Sequence, residues 1–199
     1  MLIISEDEWN LAMRSVIAIP IIPGDPQVGL FHVSVADLGY ADASITQSFT
    51  LDSLGDERSV AEPAALRAAS RAVAEFLDLD ALARLEVRRP PGRQSNREWP
   101  RQKGIHWGSL GLDERKRLLV VTPDEHNALA TYSTVLYVTS QDKRRRRRWQ
   151  VPLDASWVTT GDLLLCRHAA MDPRRRPSPR TATSAEMGEV ALGVRRVLA

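Results

Sequence analysis

The sequence of 199 residues contains a single cysteine, Cys166. One cysteine cannot form an intramolecular disulfide or a zinc site built from several thiolates, so the sequence predicts a protein of a reducing cytoplasm. No stretch approaches the ~20 apolar residues that a membrane helix needs. The first residues also lack the basic segment and the long apolar run of a secretion signal. We therefore expect a cytoplasmic protein without a membrane-spanning helix.

Basic residues are scarce in the first part of the chain and acidic residues in the second. Residues 1–87 carry 5 basic and 14 acidic side chains, a net charge of −9, and residues 88–199 carry 22 and 11, a net charge of +11. The overall charge of +2 hides this asymmetry, which indicates two units and a basic surface for a polyanion or an acidic partner. Hydrophobic residues make up 43% of the sequence, a folded-domain composition that excludes wholesale disorder.

Hydrophobic spacing predicts helices over 63–79 and 184–198, where apolar residues recur three or four positions apart. Ser5 and Ser184 precede acidic residues at the start of helical segments and are predicted N-caps. Residues 88–103 combine Pro, Gly, Arg and Asn without a period, which predicts an exposed linker. Short apolar or alternating runs predict strands at 16–22, 31–35, 44–51, 105–110, 118–122, 134–139, 149–153 and 162–166.

The second part of the sequence repeats the order of the first. Residues 3–10 read IISEDEWN and residues 120–127 read VVTPDEHN, so each copy has an apolar pair, a hydroxyl residue, Asp-Glu, a ring and Asn. The FHV of 31–33 then parallels the WQV of 149–151, and each part ends in a predicted helix. We interpret this pattern as a tandem duplication of an α+β unit.

Five segments of the second part carry a family resemblance: GIHW, KRLLVVTPDEHN, VLYVTS, WQVPL and LLC, which begin at residues 104, 116, 135, 149 and 164. Their order and spacing resemble the MazF/PemK toxins of toxin–antitoxin modules, over residues 104–199 and more weakly over 1–80. The resemblance implies an α+β protein of two tandem SH3-like small β-barrels, each with a C-terminal helix. Residues 1–87 would be a degenerate acidic copy, 88–103 a linker and 104–199 a basic MazF/PemK-like domain.

Active members of this family are homodimeric, metal-independent endoribonucleases. Their catalytic pair is a basic residue before one strand and a threonine that ends the next, and the resemblance implies Lys116, followed by Arg117, and Thr139 for these roles. The family usually has arginine and then proline at the first position, so here the charge is kept without the planar guanidinium unless Arg117 takes its place. The first copy has no basic residue there and has Ile22 at the threonine position, so we expect no working site in it.

RNA cleavage requires deprotonation of a 2′-hydroxyl, stabilisation of a phosphorane and protonation of the departing 5′-oxygen. A cation and a hydroxyl donor about 3 Å from the phosphate oxygens each supply a few kcal/mol. Thr139 would bind the phosphate, and Lys116 or Arg117 would carry the stabilising charge. The alternatives are that Thr139 is an ordinary β-branched strand residue and that the cations are a charged strand edge.

Further residues are expected to contact nucleic acid. Arg167 and His168 replace the Asp-Gln of the family, and a basic run between two predicted strands would bind phosphates with a steep salt dependence. Trp149 follows this run and would stack a base or pack in the core, and the run itself has a solvated loop as its alternative. The basic run consists of Lys143, Arg144, Arg145, Arg146, Arg147 and Arg148.

The histidines and the lone cysteine lack zinc-ligand spacing, so we expect neither a metal nor another cofactor. The expected partners are single-stranded RNA and, as in the family, an acidic antitoxin protein. The two copies are expected to form an intramolecular pseudo-dimer, with further dimerisation left open. Three hypotheses remain: a metal-independent endoribonuclease, an eroded module that binds nucleic acid or protein without cleavage, and a second copy that the acidic first copy inhibits.

Overall fold

A computed structural model describes residues 1–24, 29–56, 59–83, 100, 102–110, 115–140, 149–154, 156–172 and 180–198. The protein is α+β, as predicted. Within these residues, no helix is both long and apolar enough to cross a membrane. The helices are α1 (Asp7–Met13), α2 (Pro63–Phe76), α3 (Leu79–Ala83), α4 (Asp124–Leu129) and α5 (Ser184–Arg195).

The strands form antiparallel sheets. In chain order they are β1 (Leu2–Ile3), β2 (Ser15–Ile19), β3 (Ile21–Ile22), β4 (His32–Ser34), β5 (Tyr40–Asp42), β6 (Gln47–Thr50), β7 (Gly104–Gly108), β8 (Lys116–Val120), β9 (Tyr132–Thr139), β10 (Gln150–Leu153), β11 (Ser156–Arg167), β12 (Met171–Asp172) and β13 (Arg180–Thr181). The larger sheet has the order β10-β11-β9-β8-β7-β12, and β13 also pairs with β7. The smaller sheets have the orders β1-β2-β6 and β3-β5-β4.

The predicted strand over 16–22 is divided at Pro20. Proline has no N–H to donate to a sheet, and β2 and β3 on its two sides belong to different sheets. The corresponding β9 of the second part runs unbroken from Tyr132 to Thr139. The other predicted strands each coincide with a strand of the structure, although β11 extends well beyond 162–166.

Both predicted N-caps are wrong by one residue. The N-cap of α1 is Glu6, and that of α5 is Thr183, whose Oγ1 accepts a hydrogen bond from the Glu186 N–H while the Thr183 N–H donates to the Glu186 carboxylate. This reciprocal pair is a capping box. Ser5 bonds to a residue inside the helix instead: its Oγ donates to Asn10 Oδ1 at 2.5 Å.

The hydrogen bonds around Ser5 recur in the second part. Asn10 Nδ2 donates to the Ser5 carbonyl at 3.2 Å. Thr122 Oγ1 likewise donates to Asn127 Oδ1 at 2.6 Å, and Asn127 Nδ2 donates to the Thr122 carbonyl at 3.0 Å. In both places a short-chain hydroxyl and an asparagine five residues later close the turn between a strand and a helix.

Backbone hydrogen bonds recur at the same offset along the sequence. The Ile4 N–H donates to the Ile17 carbonyl at 2.9 Å, as the Val121 N–H does to the Thr134 carbonyl at 3.0 Å. The closing helix of each part also packs on a corresponding strand, α2 on β4 and α5 on β10. A strand, a short helix and a second strand therefore follow one another in both parts and are joined by matching bonds.

The main hydrophobic cluster contains side chains from both parts of the chain. Ile17 and Phe76 of the first part and Leu119 and Val190 of the second belong to it. A smaller cluster lies on the opposite face of the large sheet and contains Leu118, Val120, Val135, Cys166 and Met171. One continuous core therefore joins the acidic and the basic part.

The end of the predicted linker is bonded to the second part. The Gln102 N–H donates to Asp124 Oδ1 at 2.7 Å, and the Lys103 N–H donates to the Val120 carbonyl at 2.9 Å. Pro100 is buried. The rest of 88–103 lies outside the described residues.

Candidate nucleic-acid site

Lys116 and Thr139 come together on the large sheet. Arg117 of β8 pairs with Val138 of β9, so one step further along this antiparallel pair Lys116 falls opposite Thr139. Thr139 in turn pairs with Trp157 of β11, and Trp157 with Pro152 of β10. Directly opposed side chains of adjacent strands are about 5 Å apart at Cβ. The four residues form a cross-strand row, which we call the outer row.

The outer row faces away from the main core. The next row along the same strands contains Val138, Val158 and Val151, all of which belong to the main hydrophobic cluster. Because successive side chains of a strand point to opposite faces, the outer row points the other way. Lys116 and Pro152 are exposed and Thr139 and Trp157 half-buried, which leaves a cation and a hydroxyl side by side at the surface.

Arg117 is not brought to the side of Lys116 and Thr139. It belongs to the row of Val138 and Val158, opposite Trp107 of β7, and is half-buried. The Arg117 side chain therefore leaves the backbone on the core-facing side of the sheet. The expectation that Arg117 supplies a planar charge beside Thr139 does not agree with this alternation.

Tyr137 was missed by the sequence reasoning. It lies two residues before Thr139 on the same face of β9, opposite Leu118, and packs on the smaller cluster. Burial raises the pKa of the Tyr137 phenol, an effect that the nearby Lys116 ammonium partly opposes and that Asp162 reinforces. The phenol is therefore a neutral hydrogen-bond donor close to Lys116. The alternation of TVLYVT was the signal that could have identified it.

The basic run 143–148 lies outside the described residues, but both of its flanks are described. Ser140 directly follows Thr139, and Trp149 directly precedes β10. The run is thus attached to the end of the sheet that carries Thr139. Trp149 itself is only 6% exposed and belongs to the main core, so the structure favours its packing alternative over base stacking.

Arg167 and His168 lie at the opposite end of the same strands. Arg167 pairs with Tyr132, the first residue of β9, whereas Thr139 is the last. Seven residue steps along a strand span about 23 Å. Arg167 and His168 therefore lie well apart from Thr139, and their contact with nucleic acid stays a prediction.

His168 is connected to a buried polar network instead. Its Nε2 lies 2.9 Å from Ser133 Oγ, which donates to Asn127 Oδ1 at 2.5 Å. Burial lowers the pKa of His168, and a hydrogen bond with the Tyr132 backbone partly opposes this shift. A histidine held in this way supports the turn before α4.

His126 lies where the two parts of the chain meet. Its ring packs edge-on against Phe76 of α2, with ring centroids 4.6 Å apart. Burial lowers the pKa of His126, the neighbouring His168 lowers it further, and Asp42 of the first part raises it. His126 is thus a packing residue at this boundary.

No metal-binding cluster is found in the described part of the chain: no three His, Cys, Asp or Glu side chains are grouped to hold an ion. Cys166 is 1% exposed, and burial raises its pKa to about 11. Such a thiol is a small core residue and not a nucleophile at neutral pH.

Among the described residues, the first part does not repeat the pairing of Thr139 with Trp157. Ile22 stands at the sequence offset of Thr139 and pairs with Tyr40. An apolar side chain thus takes the place of the hydroxyl in the first part.

No protein-family model and no curated protein matches this chain. Solved structures similar to it include an endoribonuclease from a mycobacterial species in complex with its cognate antitoxin, at 17% identity and a TM-score of 0.41, covering 48% of this chain and 90% of that chain. A second mycobacterial endoribonuclease has 13% identity and a TM-score of 0.42, covering 50% and 91%. MazE–MazF from Deinococcus radiodurans has 18% identity and a TM-score of 0.41, covering 49% and 93%. The likeness to MazF endoribonucleases thus spans about half of this chain.

Proposed function

We propose that this protein is a MazF-like, toxin-type protein that binds single-stranded RNA across the outer row and cleaves it without a metal ion. One observation carries the proposal: Lys116 and Thr139 fall opposite each other on the face of the sheet turned away from the main core. A cation and a hydroxyl side by side are the groups that a phosphodiester accepts hydrogen bonds from.

In the proposed reaction the 2′-oxygen of one nucleotide attacks the adjacent phosphorus. The O2′–P bond forms and the P–O5′ bond breaks, which leaves a 2′,3′-cyclic phosphate and a 5′-hydroxyl. Water accepts the proton of the 2′-hydroxyl and returns one to the departing oxygen. The Lys116 ammonium stabilises the charge that grows on the phosphorane, and the Thr139 hydroxyl donates to the same oxygens. Electrostatic stabilisation of this kind contributes a few kcal/mol per donor.

The basic run Lys143–Arg148 supports RNA as the substrate. It continues from the strand end that carries Thr139, so its cations can hold the backbone on either side of the scissile phosphate. Contacts of this kind give affinity and a steep salt dependence but little sequence information.

The test is cleavage of a long RNA by the purified protein in EDTA. We expect Thr139→Val and Lys116→Ala each to reduce the cleavage rate by about 10²–10³-fold, the usual effect of one stabilising donor. Lys116→Arg should retain activity, because guanidinium also binds phosphate. Arg117→Ala, on the opposite face, is the matched control and should change the rate much less. Equal cleavage by the wild type and the Thr139 variant would contradict the proposal.

A second candidate is binding without cleavage. It is favoured by one observation: Arg117 starts on the core-facing side, so the row has an ammonium where the family has a guanidinium. An RNA-binding isotherm that weakens steeply with salt, together with an unchanged RNA in the cleavage assay, would select this candidate.

We also propose that residues 1–87 and 104–199 are two copies of one unit that form an intramolecular pseudo-dimer. Trp9 and His126 occupy equivalent positions in the two copies, and each contacts the other part of the chain: Trp9 packs against Gly161, and His126 against Phe76. Equivalent residues of the two copies thus both lie at the contact between them, which supports a pseudo-dimer. The Ser48 hydroxyl also donates to the Gly161 carbonyl at 2.7 Å.

The shared core favours a structural role for the first copy over a detachable inhibitory one. Urea unfolding followed by far-UV circular dichroism and by tryptophan fluorescence tests this. We expect the two transitions to coincide, because residues of both copies lie in one cluster. Separate transitions would mean that the copies are independent domains.

The remaining expectations follow from the same proposal. A cytoplasmic toxin-type protein with a cationic surface would take an acidic antitoxin protein as its partner. The similar MazF of Deinococcus radiodurans is in complex with MazE. Co-purification of this chain with the product of a neighbouring reading frame, lost on neutralising the basic run, would support such a partner.

A further inference from the structure

Trp157 is a large apolar side chain placed beside the candidate site. It pairs directly with Thr139 and lies in the same outer row as Lys116. Neighbouring strands are about 4.8 Å apart, so the backbone of Trp157 lies two strand spacings, about 10 Å, from that of Lys116. A phosphate bound between Lys116 and Thr139 would therefore have the Trp157 ring beyond Thr139, on the side away from Lys116.

The core does not explain the position of Trp157. Its neighbour along the strand, Val158, is fully buried in the main cluster. Within the described part of the chain, neither hydrophobic cluster includes Trp157, which remains half-buried. Its other cross-strand neighbour is the exposed Pro152, on the side of Trp157 away from Thr139 and Lys116.

We propose that Trp157 is a stacking platform for one unpaired base, adjacent to the phosphate bound by Lys116 and Thr139. This inference rests on the proposed RNA-binding function and adds the part of the nucleotide that a cation and a hydroxyl cannot recognise. An indole stacks on the face of any base, which makes the contact tolerant of sequence. Bases of a duplex are already stacked on each other, so the ligand class is single-stranded nucleic acid.

Trp149 and Trp157 then have different roles on two paired strands. Trp149 anchors β10 in the core, where its carbonyl accepts hydrogen bonds from the Thr160 N–H at 2.9 Å and from the Thr160 hydroxyl at 3.1 Å. Trp157, on the partner strand, presents its ring on the opposite face. We therefore assign to Trp157 the stacking role that was one of the two alternatives for Trp149.

The experiment compares a short single-stranded RNA with an abasic strand of the same length and charge, by fluorescence anisotropy with the full-length protein. We expect the wild type to prefer the RNA with bases by about tenfold, the effect of one stacked base. Trp157→Ala should lose this preference, and Trp157→Phe should keep most of it. The slope of log affinity against log salt should stay unchanged in Trp157→Ala and fall by about 1 in Lys116→Ala.

Trp107→Ala is the matched control, because it removes an equally large, half-buried ring on the opposite face of the sheet, paired with Arg117. It should leave the preference for bases intact. If Lys116→Ala weakens binding while Trp157→Ala still prefers the RNA with bases, the stacking role is wrong and the RNA site stands. If the wild type binds neither strand, both proposals fail.

Discussion

The indole of Trp9 lies directly against Gly161, and through this contact helix α1 of the first part packs on strand β11 of the second. A Cβ built at Gly161 would come closer than 3.0 Å to three atoms of the indole ring. Trp9 is fully buried, so the ring cannot turn out to solvent without losing its burial. The glycine is therefore required by the packing of a residue from the other part of the chain.

The first prediction is that Gly161→Ala destabilises the protein by about 3 kcal/mol, the upper end of the usual cost of overpacking. The midpoint of urea unfolding measures this. Gly55→Ala is the control, because a Cβ there meets nothing within 4 Å, and it should change stability by less than about 0.5 kcal/mol. In a Trp9→Ala background the cost of Gly161→Ala should largely disappear; full additivity of the two changes would contradict the contact.

Much of this architecture could be predicted from the sequence because it depends on local patterns. The spacing of apolar residues located α2 and α5, and the repeated hydroxyl-to-asparagine spacing located two turns with matching bonds. It was harder to predict which face of a strand packs on the core, because this depends on residues far away in the sequence. Trp149 starts a predicted strand and Trp157 lies outside all of them, yet the structure buries Trp149 in the main core and leaves Trp157 half-buried in β11.

The candidate site was predicted only in part. Lys116 and Thr139 were recognised by family position, and strand alternation alone would have separated Lys116 from Arg117. Arg167 and His168 were expected to contact nucleic acid because they replace the Asp-Gln of the family, and strand β9 separates them from Thr139 by the length of the sheet. A charge pattern in a sequence predicts the sign of the charge on a surface, but it does not predict the distance between the charged residues.

A second prediction concerns the buried network of Asn127. Its side chain accepts from the hydroxyls of Thr122 and Ser133 and donates to a backbone carbonyl. Asn127→Ala would remove these bonds from the buried Thr122 and leave Ser133 with its contact to His168 Nε2. At about 1–3 kcal/mol for each group that loses its partner, we expect a loss of roughly 3 kcal/mol in unfolding free energy. Asn10→Ala, at the equivalent and less buried turn, should cost about 1 kcal/mol because water can replace the lost bonds. Equal losses would mean that burial of the network is unimportant.

The third prediction is that stability falls as the pH is lowered through 6.5. Burial lowers the pKa of His106, His126 and His168 in the folded protein below the ordinary value of 6.5. Below pH 6.5 the unfolded chain therefore binds more protons than the folded protein does. The free energy of unfolding falls as the pH decreases from 6.5 to the lowered pKa values. Urea midpoints at pH 8 and at pH 5.5 measure the difference.

His106→Leu provides the control for this pH dependence. His106 is 6% exposed, and neither ring nitrogen has a hydrogen-bond partner among the described residues. Its replacement loses no hydrogen bond, so stability at pH 8 should be preserved or increased. The decline towards pH 5.5 should become shallower. An unchanged pH profile in this variant would exclude His106 as a contributor.

A fourth prediction uses the capping box of α5. Thr183→Ala removes the side chain that accepts from the Glu186 N–H at 3.2 Å and should cost about 1 kcal/mol. Glu189→Ala, on the exposed side of the same helix, should change the unfolding free energy by less than about 0.5 kcal/mol. If both variants unfold at the same urea concentration, the cap does not contribute to the stability of the helix.

The last prediction is that the Cys166 thiol is unreactive in the folded protein. Its pKa of about 11 leaves about one thiol in a thousand ionised at pH 8, and the buried sulfur is closed to reagents. A disulfide reagent such as DTNB should therefore react slowly in buffer and at once in urea. RNA binding or cleavage should survive Cys166→Ala, since the thiol lies on the side of the smaller cluster and toward the far end of β11 from Trp157. Rapid labelling in buffer would show that this part of the sheet opens, and loss of activity in the alanine variant would implicate the thiol in the chemistry.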